Sequence, residues 1–141
     1  MNEKVQKIEA LKERTKRFAL NVIAFCKHLP KTEESKIIRS QLIRSATSVG
    51  ANYRAASRAR SDAEFYSKIS IVVEEADESL FWLELIEESQ MATNNMLTQL
   101  IDESRQLVKI INTIRHKKSQ NSKKTMTNSH CCHPSFLTPH P

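Results

Sequence analysis

Over the first 118 residues, apolar side chains return every third or fourth position in four separate stretches. Val5, Ile8, Leu11, Thr15, Phe18, Val22, Phe25 and Leu29 form one stripe of a long first helix, which Pro30 ends. Thr32 followed by Glu33 and Glu34 is an N-cap with carboxylates in the first turn, so a second helix starts near residue 33. Its stripe, Ile38, Leu42, Ser45, Val49, Asn52 and Ala56, is thin and built of small side chains. Ser61-Asp62-Ala63-Glu64 has capping-box spacing and opens a third helix. Phe65, Ile69, Val72, Ala76, Leu80 and Leu83 carry that helix's apolar face to about residue 91. Thr93, Asn94 and Asn95 cap a fourth, with Leu97, Leu100, Ser104, Leu107, Ile111 and Ile114 as its stripe. The pattern predicts an all-α fold, an antiparallel up-down-up-down four-helix bundle over residues 1–118. After Lys118 the periodicity is lost, which predicts a disordered C-terminal tail over 119–141.

Composition supports this. The chain has 141 residues, the size of one domain, and contains one Gly and four Pro, three of them in the last eight residues. No run of about 18 apolar residues is present, so no membrane span is expected. The N-terminus MNEKVQKIEALKERTKR is amphipathic and mixed in charge, unlike a signal peptide, and a cytoplasmic location is expected. Cys26 sits in an apolar helical context as a buried thiol, while the adjacent Cys131 and Cys132 make no disulfide framework.

The faces away from the stripes carry more information. On helix 2, Lys36, Arg39, Arg44, Arg54 and Arg58 cluster opposite the apolar side, and no acidic residue occurs between Lys36 and Arg60. Gly50, the sole glycine, falls on this outer side beside Ile43 and Thr47, with Tyr53 at the flank. Glycine in a helix costs about 1 kcal/mol relative to alanine, and close approach of another backbone is the usual reason for it. Here that backbone is expected from outside the bundle. Helix 3 supplies the complement, with nine carboxylates from Asp62 to Glu88 against Lys68 alone. Glu64, Glu74, Glu75 and Glu78 lie opposite its core stripe, together with Ile71, Phe81, Trp82 and Leu85. Aromatic anchors within a charged rim describe a subunit interface. An acidic face docking on the basic face of the next copy is a heterologous contact that closes into a ring. The rival arrangement pairs helices 2 and 3 at their edges and neutralises the same charges within one bundle.

Candidate chemistry is sparse. Glu-x-x-His, needed for a di-metal bundle site, does not occur, and one glycine excludes phosphate-cradling loops. His28 and His116 fall at helix C-termini, and His130-Cys131-Cys132-His133 lacks the spacing of zinc ligands. No catalytic, cofactor or metal site is therefore expected. Asn52, on the core side of helix 2, could fix register as a buried polar group. The net charge of +6 suits RNA or DNA. Candidate phosphate contacts are Arg39, Arg44, Arg54 and Arg58 on helix 2, and Arg105, Lys109, Arg115, Lys117 and Lys118 on helix 4, continued by Lys123 and Lys124. With eight aromatics in the chain no stacking platform is visible, so such binding should be salt-sensitive and weakly sequence-specific.

RSATSVGANYRAASRARSDAEFYSKISIVVEEADESLFWLELI, residues 44–86, resembles the four-helix-bundle proteins encoded within intervening sequences of bacterial 23S ribosomal RNA genes. Ser48-Val49-Gly50-Ala51-Asn52, the Ser61-to-Phe65 cap, Glu75-Ala76-Asp77-Glu78 and Trp82-Leu83-Glu84-Leu85 carry the likeness in register. The resemblance implies a homopentameric ring and no established enzymatic activity. It also implies kinship in architecture with the basic accessory proteins of diversity-generating retroelements, which bind a reverse transcriptase and nucleic acid. Expected partners are thus further copies of the chain, RNA or DNA, and a protein such as a reverse transcriptase. Relatives commonly carry Glu where this chain has Ala55, so no role of that carboxylate carries over.

Overall fold

A computed structural model describes residues 2–130. It contains α1 (Glu3–Cys26), α2 (Glu33–Ala56), α3 (Asp62–Glu88) and α4 (Asn95–His130), packed in sequence order as an up-down-up-down bundle. Each helix starts where a side-chain oxygen meets the orphan N–H groups of its first turn. The Asn2 side chain accepts from Lys4 N, Thr32 from Ser35 N, Ser61 from Glu64 N, and Asn94 Oδ1 from Leu97 N. Glu64 completes a variant of the capping box by accepting from the backbone N–H of Arg60 at 3.1 Å.

The core follows the expected stripes. Phe18, Val22, Phe25, Leu42, Val49, Ile69, Val72, Leu83, Leu107 and Ile111 are fully enclosed, and Cys26 is buried among them. Small side chains set how closely the middle helices approach. Ser79 Oγ donates to Ser45 Oγ at 2.9 Å, and Ser104 Oγ reaches the Ala76 carbonyl at 3.3 Å. Burying hydroxyls this way leaves them partnered, as a buried polar group requires. Asn52 is half-buried and bonds within its own helix, donating to the Ser48 carbonyl and hydroxyl, so it does not fix register between helices.

Gly50 corrects one expectation. A Cβ built there would lie 3.5 Å from the Thr15 carbonyl oxygen and 3.7 Å from Lys16 Cα. The approaching backbone is real, but it is α1 of the same chain, not a neighbouring copy. Its φ is not positive, whereas Gln90, just past the end of α3, does adopt a left-handed φ of 58°. The glycine is placed for closeness, and the one described residue with left-handed backbone is a glutamine.

Two further differences concern the ends. Val5 lies on the expected stripe of the first helix, yet in the first turn of α1 it is 43% exposed. Residues 119–130, expected to be disordered, continue α4 as helix. No Gly or Pro interrupts them, and extending a helix already nucleated on the core costs far less than starting one. Their hydroxyls bond back to the preceding turn, as with Ser122 to the Lys118 carbonyl and Thr125 to that of Asn121. At 1.5 Å per residue this overhang projects roughly 18 Å past Lys118. The remaining tail, with Cys131 and Cys132, lies outside the described residues.

Candidate nucleic-acid interface

The antiparallel topology sorts the charges by end. Contacts of Gly50 with Thr15 and of Lys118 with Asp62 place the start of α1, the end of α2, the start of α3 and the distal half of α4 at one level. Lys4, Lys7, Arg54, Arg58, Arg60, Arg115, Lys117 and Lys118 gather there, and Lys123 and Lys124 continue along the overhang. Toward the opposite end stand Glu78, Glu84, Glu87 and Glu88 of α3 with Asp102 and Glu103 of α4, beside Lys27, Lys31, Lys36 and Arg39, so that end is mixed with an excess of carboxylates.

The candidate cations separate into two groups. Arg44 Nη1 lies 3.2 Å from Glu75, and its Nη2 donates to Glu78. This is the edge pairing of α2 with α3 within one bundle. Arg105 lies 3.8 Å from Glu84, and Arg39 is half-buried close to Cys26. Arg44 and Arg105 belong to the bundle's own charge balance, whereas Arg39 has no carboxylate partner among the described residues. Arg54, Arg58, Lys109, Lys117, Lys123 and Lys124 are exposed and have no carboxylate partner among the described residues. Arg115 is half-buried and donates to Asn112 Oδ1 at 2.9 Å. Lys118 is held by Asp62 at 2.6 Å and lies 5.5 Å above the Phe65 ring.

The expected interface residues are likewise divided. Gly50 packs on α1, and Tyr53 is buried at 4% exposure, so neither can meet another subunit without rearrangement. Ile43 and Trp82 are half-buried against the core, and Ile71 and Leu85 are half-buried. Glu74 is exposed, and Phe81 is 51% exposed. Phe81 meets Trp82 edge to face at 5.1 Å, and Trp82 Nε1 points to Glu78 Oε1 at 3.4 Å.

Between α1 and α4 the basic end does not close. A groove of about 1170 Å³ opens there, with Ile8, Leu11, Tyr53, Phe65, Ile110 and Ile114 in its lining and Lys4, Lys7, Arg60, Lys117 and Lys118 among its polar residues. Sequence reasoning did not find this groove, because its lining comes from four helices and each residue alone reads as core or surface. Burial pushes the Tyr53 hydroxyl up to about 12, with the negative charge of Glu9 adding to the effect. It is a neutral group there, able to donate or accept.

Electrostatics elsewhere are structural. Burial holds the Cys26 thiol up at about 11 despite Arg39, which leaves it un-ionised and poorly nucleophilic. The hydrogen bond from Arg44 lowers Glu78, whereas burial raises Glu75 against the pull of the same arginine. No group of His, Cys, Asp and Glu fit to hold a metal occurs among the described residues. No described helix is long and apolar enough to cross a membrane.

The family model for the 23S rRNA-intervening sequence protein matches residues 7–113. The chain belongs to this family. The match spans the bundle and stops short of Arg115, so the distal end of α4 lies beyond it. The crystal structure of a protein of unknown function from the S23 ribosomal protein family of Bacteroides thetaiotaomicron is similar to this chain. The two are 30% identical with a TM-score of 0.71, covering 78% of this chain and 98% of the other. No curated protein matches.

Proposed function

We propose that this chain is a self-assembling, non-enzymatic bundle that binds RNA through its basic end. The observation that carries this reading is the convergence of unpaired cations at the end of α2 and on the distal half of α4, Arg54, Arg58 and Lys117 among them, extended by Lys123 and Lys124 along a projecting helix. Phosphate attracts such a surface without requiring fixed spacing, and release of counterions makes the contact salt-dependent. The ribosomal family name of the similar crystal structure accords with RNA. Self-assembly draws its support from Phe81, a large aromatic left half-exposed beside Trp82 on a charged face. The pentameric ring and a reverse-transcriptase-like partner remain what the family resemblance implies.

Titration of a labelled RNA by fluorescence anisotropy tests the reading. Affinity should fall steeply, on the order of 10³-fold, between about 50 and 200 mM salt if some six phosphates are contacted. Reversal of Arg54, Arg58 and Lys123 to Glu should weaken binding at least roughly tenfold and flatten that slope. Lys36→Glu at the opposite end should change neither. Absence of binding at low salt would sink the proposal. For assembly, Phe81→Asp should lower the mass measured by light scattering while leaving the melting temperature nearly unchanged.

A further inference from the structure

We propose that the groove between α1 and α4 receives an acidic amphipathic helix of another protein. This reading is independent of RNA binding and gives the basic end a second kind of partner. Three observations select the occupant, and the first is the floor. Ile8, Phe65, Ile110 and Ile114 are half-buried there and converge from three helices beside the buried Leu11 and Ala56. Among the described residues the only buried polar side-chain atom without a hydrogen-bond partner is Ser35 Oγ, at the start of α2 and outside the groove. Lys118 stands 5.5 Å over the Phe65 ring, so that face is already covered. The floor thus holds no buried polar group in want of a partner and no free ring for stacking, and it suits apolar side chains.

Shape is the second observation. Lining residues run from Asn2 to Arg14 on α1 and from Ile110 to Asn121 on α4. At 1.5 Å per residue the trough is roughly 17 Å long, about three helical turns. Its volume of about 1170 Å³ gives a mean cross-section of roughly 70 Å², slightly less than that of a helix about 10–12 Å across. A third helix laid between two that part fills such a gap, with apolar anchors at i, i+3 or i+4 and i+7.

Charge is the third. Lys7 is paired with Glu3, Lys118 with Asp62, and Arg14 with Glu103. Lys4, Arg60 and Lys117 also line the groove, are exposed, and have no carboxylate partner among the described residues. They come from α1, the α2–α3 connection and α4, so free positive charge stands around an apolar floor on three elements. Glutamates flanking the anchors of an incoming helix would meet that charge, which sets orientation and disfavours basic partners. The chain's own helices do not fit: acidic α3 is packed into the bundle, and the α4 overhang carries Lys123 and Lys124.

The test titrates the full chain, at low salt, into a fluorescein-labelled peptide of about twelve residues with leucine at every third or fourth position and glutamate elsewhere. It should bind saturably and at least roughly tenfold more tightly than a scrambled peptide of equal composition, which keeps the charge and loses the stripe. Lysine in place of its glutamates should cost roughly tenfold or more. Ala10→Trp, at an exposed position of the lining, fills the trough and should weaken the striped peptide about tenfold while leaving oligouridine binding unchanged. Lys4→Glu should weaken it about threefold, and Lys36→Glu at the opposite end should have no effect. Should Ala10→Trp fail to fold, the striped and scrambled peptides together with Lys4→Glu decide. Equal affinity for the striped and scrambled peptides, or no saturable binding, would overturn the assignment. Loss of oligouridine binding in Ala10→Trp with the peptide unaffected would give the groove to nucleic acid and overturn it as well. Absence of RNA binding with the peptide results as expected would remove the RNA reading and uphold this one.

Discussion

The two outer seams of the bundle are built on opposite rules. Between α2 and α3, Ser45 and Ser79 bring the backbones close, and Arg44 ties Glu75 and Glu78 across the edge. Between α1 and α4, Arg14 reaches Glu103 and Gln106, the latter at 2.8 Å, and below that tie the helices part into the groove. Both seams join long amphipathic helices. The difference lies in what flanks the stripe: small hydroxyls and opposite charges close one seam, while the other parts into a groove flanked by Lys4, Lys7, Lys117 and Lys118 together with Glu3 and Asp62. A hydrophobic stripe thus determines that helices pack, and the flanking positions determine which pairs meet along their whole length.

Matched substitutions can break that comparison. The largest contrast is expected from leucine in each seam: Ser79→Leu, fully buried, should lose about 3 kcal/mol in urea unfolding through overpacking. Ala10→Leu, exposed in the groove lining, should stay within about 0.5 kcal/mol of the native protein. Equal losses would mean that the α1–α4 seam is as tight as its counterpart. Next comes Gly50, where α1 crosses α2. Leucine there should cost about 2 kcal/mol by pushing α1 away. Alanine should add up to about 1 kcal/mol, since its Cβ would meet Thr15 only in ordinary van der Waals contact.

The four helices, their caps at Thr32, Ser61 and Asn94, and nearly all the core were legible because helical period and capping chemistry are local properties. Gly50 was legible by half. Its cost announces a close neighbour, but a direction on one helix does not say whose backbone lies along it; that needs the register with Thr15. The charge pairing of Arg44 was open for the same reason, since face assignment fits an intramolecular pair and an intersubunit one equally. Lys118 as the end of helix 4 misled because loss of an apolar stripe marks the end of packing, and a solvated helix can run on. The groove was illegible in principle: it records where Ile8, Tyr53, Phe65 and Ile114 fail to close on each other.

A third comparison sets the two arginine ties against each other. Arg44→Ala removes a partner from two carboxylates and should lower the urea midpoint more than Arg14→Ala, which frees one carboxylate at a partly exposed pair. The smallest effect is expected in acid. Glu78 is held below its ordinary 4.5 by Arg44, so the stability it contributes is present above pH 4.5 and is lost as pH falls through the lowered value. Glu75, raised by burial, acts with the opposite sign and favours folding as it protonates. Denaturation curves between about pH 3 and 6 should therefore fall more steeply for the native chain than for Arg44→Ala. Parallel curves would show that the α2–α3 edge owes its closure to the serines alone.

Finally, the gathering of cations at one end and carboxylates toward the other gives each subunit an electric moment along its long axis. Rotational symmetry about a parallel axis adds such moments, whereas a twofold axis across the bundle cancels them. A cyclic assembly with its axis along the helices would consequently be a two-faced disc, with one face fringed by projecting basic helices and the other mixed in charge with an excess of carboxylates. Such a particle meets a polyanion from one side only.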